Sequence, residues 1–137
     1  MKKLPFLLVF LSVFLFSQKN EKYLKIGFNS TCCGPASSKD VLDYLQNFEK
    51  KQKLKPFEII YQRGLGREGE YAIFVGVDAL NPKRLNRLKK EMKDLIENQN
   101  KHKESESVGY ITFEKDTTFT KKQLSELKNL EFKSSKK

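Results

Sequence analysis

The apolar residues of this chain repeat with a period of two, then 3.6, then two in a pair of neighbouring segments, then 3.6, then two again. That order constrains the fold more than any other feature of the sequence. In YLKIGF, residues 23–28, Leu24, Ile26 and Phe28 alternate with Tyr23, Lys25 and Gly27, the signature of a half-buried strand. In SSKDVLDYLQNFEKK, Val41, Leu42, Leu45 and Phe48 share one helical face, and Ser37 with Asp40 three residues on marks a helix start, predicting a helix over 38–52. Pro56 bounds a second strand, FEIIYQ, and the turn RGLGREG joins it to EYAIFVGV, the most apolar strand. A second helix, predicted over 82–98, has Asn81 as N-cap and Pro82 at its first position, where a missing N–H costs nothing. Leu80 and Leu85 are spaced for a hydrophobic staple, and Leu85, Leu88, Met92, Leu95 and Ile96 form the buried stripe. The polar loop NQNKHKESES leads to a last strand, VGYITF. Thr120 and Gln123 then form a capping box for a closing helix that carries Leu124, Leu127 and Leu130.

Strand, helix, strand, strand, helix, strand is the split βαβ order. The expected fold is therefore α+β and ferredoxin-like, a βαββαβ two-layer sandwich with an extra C-terminal helix. The handedness of crossovers predicts the first and third strands side by side and parallel in the centre. The third strand presents Ala72, Phe74 and Gly76 on the face away from the two main helices. That face needs a cover, either the extra helix or a second subunit in a homodimer.

The chain opens with Lys2 and Lys3 followed by an apolar run over 4–16, too short to span a bilayer comfortably, and Ser17 offers a small residue for cleavage. Residues 1–17 are read as a secretory signal peptide, with an uncleaved anchor as the alternative. The expected location is the bacterial periplasm or the extracellular space, with no transmembrane span after cleavage. One domain over 18–132 then remains, with a disordered basic tail over 133–137. Losing Lys2 and Lys3 lowers the net charge from +10 to +8. Export and the lack of an aromatic-and-basic ribonucleoprotein pattern argue against nucleic acid and leave an anionic or protein partner in the cell envelope.

In the expected topology the loop after the first strand, the central hairpin and the loop before the last strand lie at one end. They carry Cys32 and Cys33, Arg63 and Arg67, and Lys101, His102 and Lys103. Arg63, Arg67, Lys101 and Lys103 are the candidate anion-binding rim. Cys32 and Cys33 are the only cysteines. Neighbouring Cα atoms lie about 3.8 Å apart, below the roughly 4.4 to 6.8 Å that disulfides usually span. The expectation is therefore two thiols, one turned inward and one facing the rim. A cysteine-bearing loop between the first strand and first helix resembles the heavy-metal-associated domains of copper chaperones, a resemblance of topology, since those domains separate their two cysteines by two residues. It implies a soft ion such as Cu(I) as cofactor, with Cys32, Cys33 and His102 as candidate metal ligands. A cationic rim and a helix start would also lower a thiol's pKa and favour redox chemistry.

Known catalytic constellations find little footing. GLGREG matches G-x-G-x-x-G, yet it joins two strands where a dinucleotide fingerprint opens a helix. A single histidine supplies no Ser-His-Asp triad, and the scattered acids make no carboxylate pair. The sequence favours an exported, non-enzymatic binding module. The alternative is a soft-metal or thiol-redox protein built on the adjacent cysteines.

Overall fold

The computed structural model describes residues 20–133, so the secretory signal peptide expected over 1–17 and most of the disordered tail expected over 133–137 lie outside the described residues. Nine elements follow one another: β1 (Lys22–Asn29), α1 (Lys39–Gln52), β2 (Ile59–Gln62), β3 (Tyr71–Gly76), α2 (Pro82–Lys101), β4 (Tyr110–Phe113), β5 (Phe119–Thr120), α3 (Lys121–Ser125) and β6 (Leu130–Phe132). The architecture is mixed α+β, with a six-stranded sheet in the order β4-β1-β3-β2-β6 and β5 paired to β1. Every ladder is antiparallel.

The expected parallel central pair is overturned. β1 and β3 are neighbours, but Tyr23 faces Gly76 and Phe28 faces Tyr71, so they run in opposite directions. The reason lies in the connections. α1 carries the chain back along the sheet, so β2 runs in the direction of β1, and the β2–β3 hairpin reverses it. β3 then enters between them, antiparallel to both. The crossover rule governs β1 and β2, which are not in contact.

α1 and α2 cover one face. Leu24, Ile26 and Phe28 from β1 pack with Val41, Leu45 and Phe48 from α1 and with Leu88, Met92 and Ile96 from α2. α2 begins as expected, with the Asn81 side chain accepting from Arg84 N–H at 2.9 Å. It runs to Lys101, three residues past the predicted end. α1 differs in its cap: Ser38 occupies the N-cap position without a side-chain bond, and Ser37 Oγ accepts instead from Lys39 N–H at 3.2 Å.

The opposite face carries a second core of Tyr23, Ile60, Ala72 and Phe74, and the protein's own C-terminal segment covers it with Leu124, Phe119, Leu127 and Leu130. Phe119 meets Phe74 edge-on at 5.4 Å. The capping box of Thr120 and Gln123 forms, but the helix behind it is only five residues long. The chain turns through Asn129, at φ 59°, and Leu130 enters a strand beside β2. A leucine every third residue suits a helix as well as a turn leading into an edge strand, and strand pairing decided between them.

Candidate rim site

Three connections gather where β1 ends. Phe28 faces Tyr71 in β3, and Asn29 faces Tyr110 in β4, so the loop over 30–38, the hairpin over 63–70 and the segment over 102–109 share one end of the sheet. This is the rim expected from the sequence.

The loop after β1 holds the other two together. Ser30 pairs with Pro35 in an isolated bridge, and Ser30 Oγ accepts from Gly34 N–H at 3.1 Å. On one side Thr31 Oγ1 donates to the Val108 carbonyl at 3.4 Å, and Cys32 Sγ lies 3.8 Å from the Ser107 carbonyl. On the other side Pro35 sits beside Gly69 of the hairpin. Beneath it Ala36 N–H reaches the Asn29 carbonyl at 3.3 Å. Asn100 pins the end of α2 to β4: its Nδ2 donates to the Ile111 carbonyl at 2.8 Å, and its Oδ1 accepts from Ile111 N–H at 2.9 Å.

Cys32 and Cys33 are joined in a disulfide, and both residues are exposed. This corrects the expectation of one buried and one exposed thiol. Opposed side chains follow only in an extended segment, whereas residues 30–35 form a closed turn with Gly34 at φ +119°. Bonded sulfurs offer no thiolate to a metal. His102 is exposed and turned back on its own helix, its Nδ1 lying 2.9 Å from the Asn98 carbonyl. Among the described residues no group of three or more His, Cys, Asp or Glu side chains is placed to hold a metal ion.

The four rim cations fare differently. Arg63 pairs with Glu131 at 2.9 Å, and its guanidinium lies 5.1 Å from the Tyr61 ring and 5.8 Å from the Tyr71 ring. The Glu131 carboxylate raises the Arg63 pKa, holding the guanidinium charged. Lys103 leans toward Glu106 at 3.7 Å. Arg67 and Lys101 are exposed and form no ion pair with another described residue.

One feature of the rim escaped the sequence. A polar cleft of about 450 Å³ opens between Ser37 and Asp40 on one side and Gln99, His102 and Glu104 on the other. Gln99 Nε2 donates to the Ser37 carbonyl at 3.0 Å, while its Oε1 is buried with no donor among the described residues. The amide-rich helix end ENQN was the available signal. Among the described residues no helix is long and apolar enough to cross a membrane. No family model matches the chain, and neither a curated protein nor a solved structure matches it.

Proposed function

We propose that this chain is an exported, non-enzymatic binding module of ferredoxin-like fold that meets an acidic segment of a partner in the cell envelope with its rim. Support for the fold is the order β4-β1-β3-β2, with α1 and α2 against one face and β5, α3 and β6 as additions. The observation that carries the function is the exposed Cys32–Cys33 disulfide, held where the three rim connections meet. A bond between neighbours in sequence ties no distant segments together, so it contributes little to global stability. Its effect is local: it narrows the conformations of the loop tip before a partner arrives, which lowers the entropy lost on binding. Arg67 and Lys101, which form no ion pair with another described residue, supply charge for an acidic segment.

An acidic decapeptide titrated into isotope-labelled protein tests this. Amide shifts should cluster over 31–34, 64–69 and 99–107 and weaken in half-molar salt, where screening is nearly complete within a few ångströms. They should weaken again on reduction of the disulfide and in the double variant R67Q/K101Q. Shifts confined to the opposite end of the sheet, or unchanged in that variant, would remove the rim from consideration.

The exposure of both bonded sulfurs also favours a second reading, thiol–disulfide exchange. A partner dithiol would pass two electrons to the Cys32–Cys33 bond and become a disulfide itself, leaving two thiols here. In that reduced form Cys32 and Cys33, with His102 as a third ligand, would be the set for a soft ion such as Cu(I). Equilibration with dithiol redox buffers, followed by Cu(I) competition on the reduced protein, tests both steps. Failure to reduce under native conditions would end this reading.

A further inference from the structure

The end of the sheet opposite the rim carries a different surface. The start of β1, the end of β3 and the start of β2 meet there, with Tyr23 facing Gly76 and Ile59 facing Val75. α1 therefore finishes at this end and α2 begins there. The segment over 50–56, KKQKLKP, contributes Lys50, Lys51, Lys53 and Lys55 with no acid among them. The segment over 82–90, PKRLNRLKK, adds Lys83 and Arg84 on its first turn, again with no acid. Tyr44 of α1 donates to Glu91 of α2 at 2.8 Å, so the helices lie side by side and bring both clusters to the same end of the sheet.

These lysines are exposed, and none of the six cations forms an ion pair with another described residue, save that Arg84 is half-buried. Of the acids at this end, Glu21 is exposed beside Pro82 and Leu85, while Glu49, Glu58 and Asp78 accept hydrogen bonds. Glu49 accepts from Phe57 N–H at 2.7 Å. Glu58 accepts from Asn20 Nδ2 at 2.9 Å and from the Tyr23 hydroxyl at 3.2 Å. Asp78 accepts from the N–H groups of Glu21 and Lys22 at 2.6 and 2.9 Å. The result is a positive end whose field is only partly offset, in contrast to the rim with Glu68, Glu70, Glu104 and Glu106.

Two further features say what this end meets. The chain enters the fold here, at Asn20, directly after the apolar run over 4–16. Where that run is kept, its apolar residues hold this end close to a bilayer. Phe132, 71% exposed, also lies toward this end beside Pro56, Phe57 and Lys133, along a groove of about 610 Å³ between α1 and β2. An exposed aromatic ring flanked by lysines suits the headgroup boundary of a membrane, where the ring is buried and the ammonium groups meet phosphates. An acidic polysaccharide would use the charge and leave the ring in water.

We infer that this basic end is a docking surface for anionic phospholipid headgroups, which seats the protein on a membrane with the rim pointing away from it. The inference does not depend on what the rim binds. Two signals make such docking effective, the apolar contact and a cluster of lysines each worth about a five-fold gain in affinity near an anionic surface.

The test is flotation of the full chain with phosphatidylcholine vesicles, with and without phosphatidylglycerol. The apolar leader contributes to both vesicle types, so the difference between them isolates the charge. Wild-type protein should prefer the anionic vesicles, and K50Q/K51Q/K55Q/K83Q should lose that preference, by on the order of a hundred-fold or more. The arginine counterpart, K50R/K51R/K55R/K83R, should keep it, and R67Q/K101Q at the rim should leave it unchanged. Circular dichroism of each variant confirms folding, and the arginine variant keeps the comparison decisive if the glutamine variant unfolds. Equal binding to both vesicle types, an unaffected glutamine variant, or a loss caused equally by the rim variant would overturn the inference. So would binding to a soluble sulfated polysaccharide without binding to anionic vesicles, which would assign the surface to that partner.

Discussion

Gly109→Ala is the sharpest probe of how the rim is closed. Gly109 is buried immediately before β4, where the loop after β1 folds back over the strand ends. A methyl group built on its Cα would overlap the Asn29 carbonyl oxygen and come within 2.6 Å of the Ala36 nitrogen and 3.1 Å of the Asn29 carbonyl carbon. All three are backbone atoms, so no side chain can rotate away. Two of them form the hydrogen bond from Ala36 N–H to the Asn29 carbonyl. Overpacking of this kind costs about 1 to 3 kcal/mol, and losing the bond adds about 1 kcal/mol. The sum, roughly 2 to 4 kcal/mol, is a large share of the 5 to 15 kcal/mol typical of a domain. It should lower Tm by on the order of 10 °C. Gly34→Ala is the control: it sits in the same loop with open space around its Cα, so only its φ of +119° resists a side chain. Thermal and urea melts of both variants measure the cost, and hydrogen exchange at the Ala36 amide reports whether the loop has opened. If Gly109→Ala melts within a degree or two of wild type with the Ala36 amide still protected, the closure described here is wrong.

Leu124→Ala should cost about 2 to 5 kcal/mol in urea unfolding, because this 3%-exposed side chain covers Tyr23, Ala72 and Phe74. A loss below half a kcal/mol would mean that the C-terminal segment does not seal the second face. Asn81→Ala should cost about 1 kcal/mol, with Asn81→Ser restoring most of it, as expected for a cap bonded to Arg84 N–H. Reducing Cys32–Cys33 should change stability by about 1 kcal/mol at most, since the closed loop is the shortest possible, and a global unfolding on reduction would contradict this. Glu91 is held below its ordinary pKa first by Arg87 and also by the Tyr44 hydroxyl, which donates to it at 2.8 Å. A depressed carboxyl stabilises the fold above its unfolded pKa and loses that contribution as pH falls through the folded value. Tm differences between wild type and Glu91→Gln should therefore shrink on acidification below the ordinary glutamate range. The effect should be small, because the carboxylate is partly exposed and screened.

What local sequence determines, it determined well. The periods of two and 3.6 mark β1, α1, β2, β3, α2 and β4, and Asn81, Pro82 and the Thr120–Gln123 box set helix starts through bonds made within a few residues. The convergence of loops at the rim also followed from element order, because each strand's exit is set by the parity of the connections before it. Contacts between distant segments decided the rest. The antiparallel run of β3 against β1 follows from the same parity, since the β2–β3 hairpin reverses the chain, and only its place between β1 and β2 rests on contacts between distant segments. The leucines at 124, 127 and 130 are equally spaced whether they continue a helix or, as here, divide between a cap turn and an edge strand. Only the exposed edge of β2 makes the second course favourable. The state of Cys32 and Cys33 was likewise tertiary: the turn over 30–35, braced by Ser107, Val108 and the Gly69 hairpin, brings the two sulfurs together where an extended chain would part them. The basic surface at the far end followed the same rule. Lysines at 50–55 and 83 are far apart in the chain, and they come to the same end of the sheet because α1 ends where α2 begins.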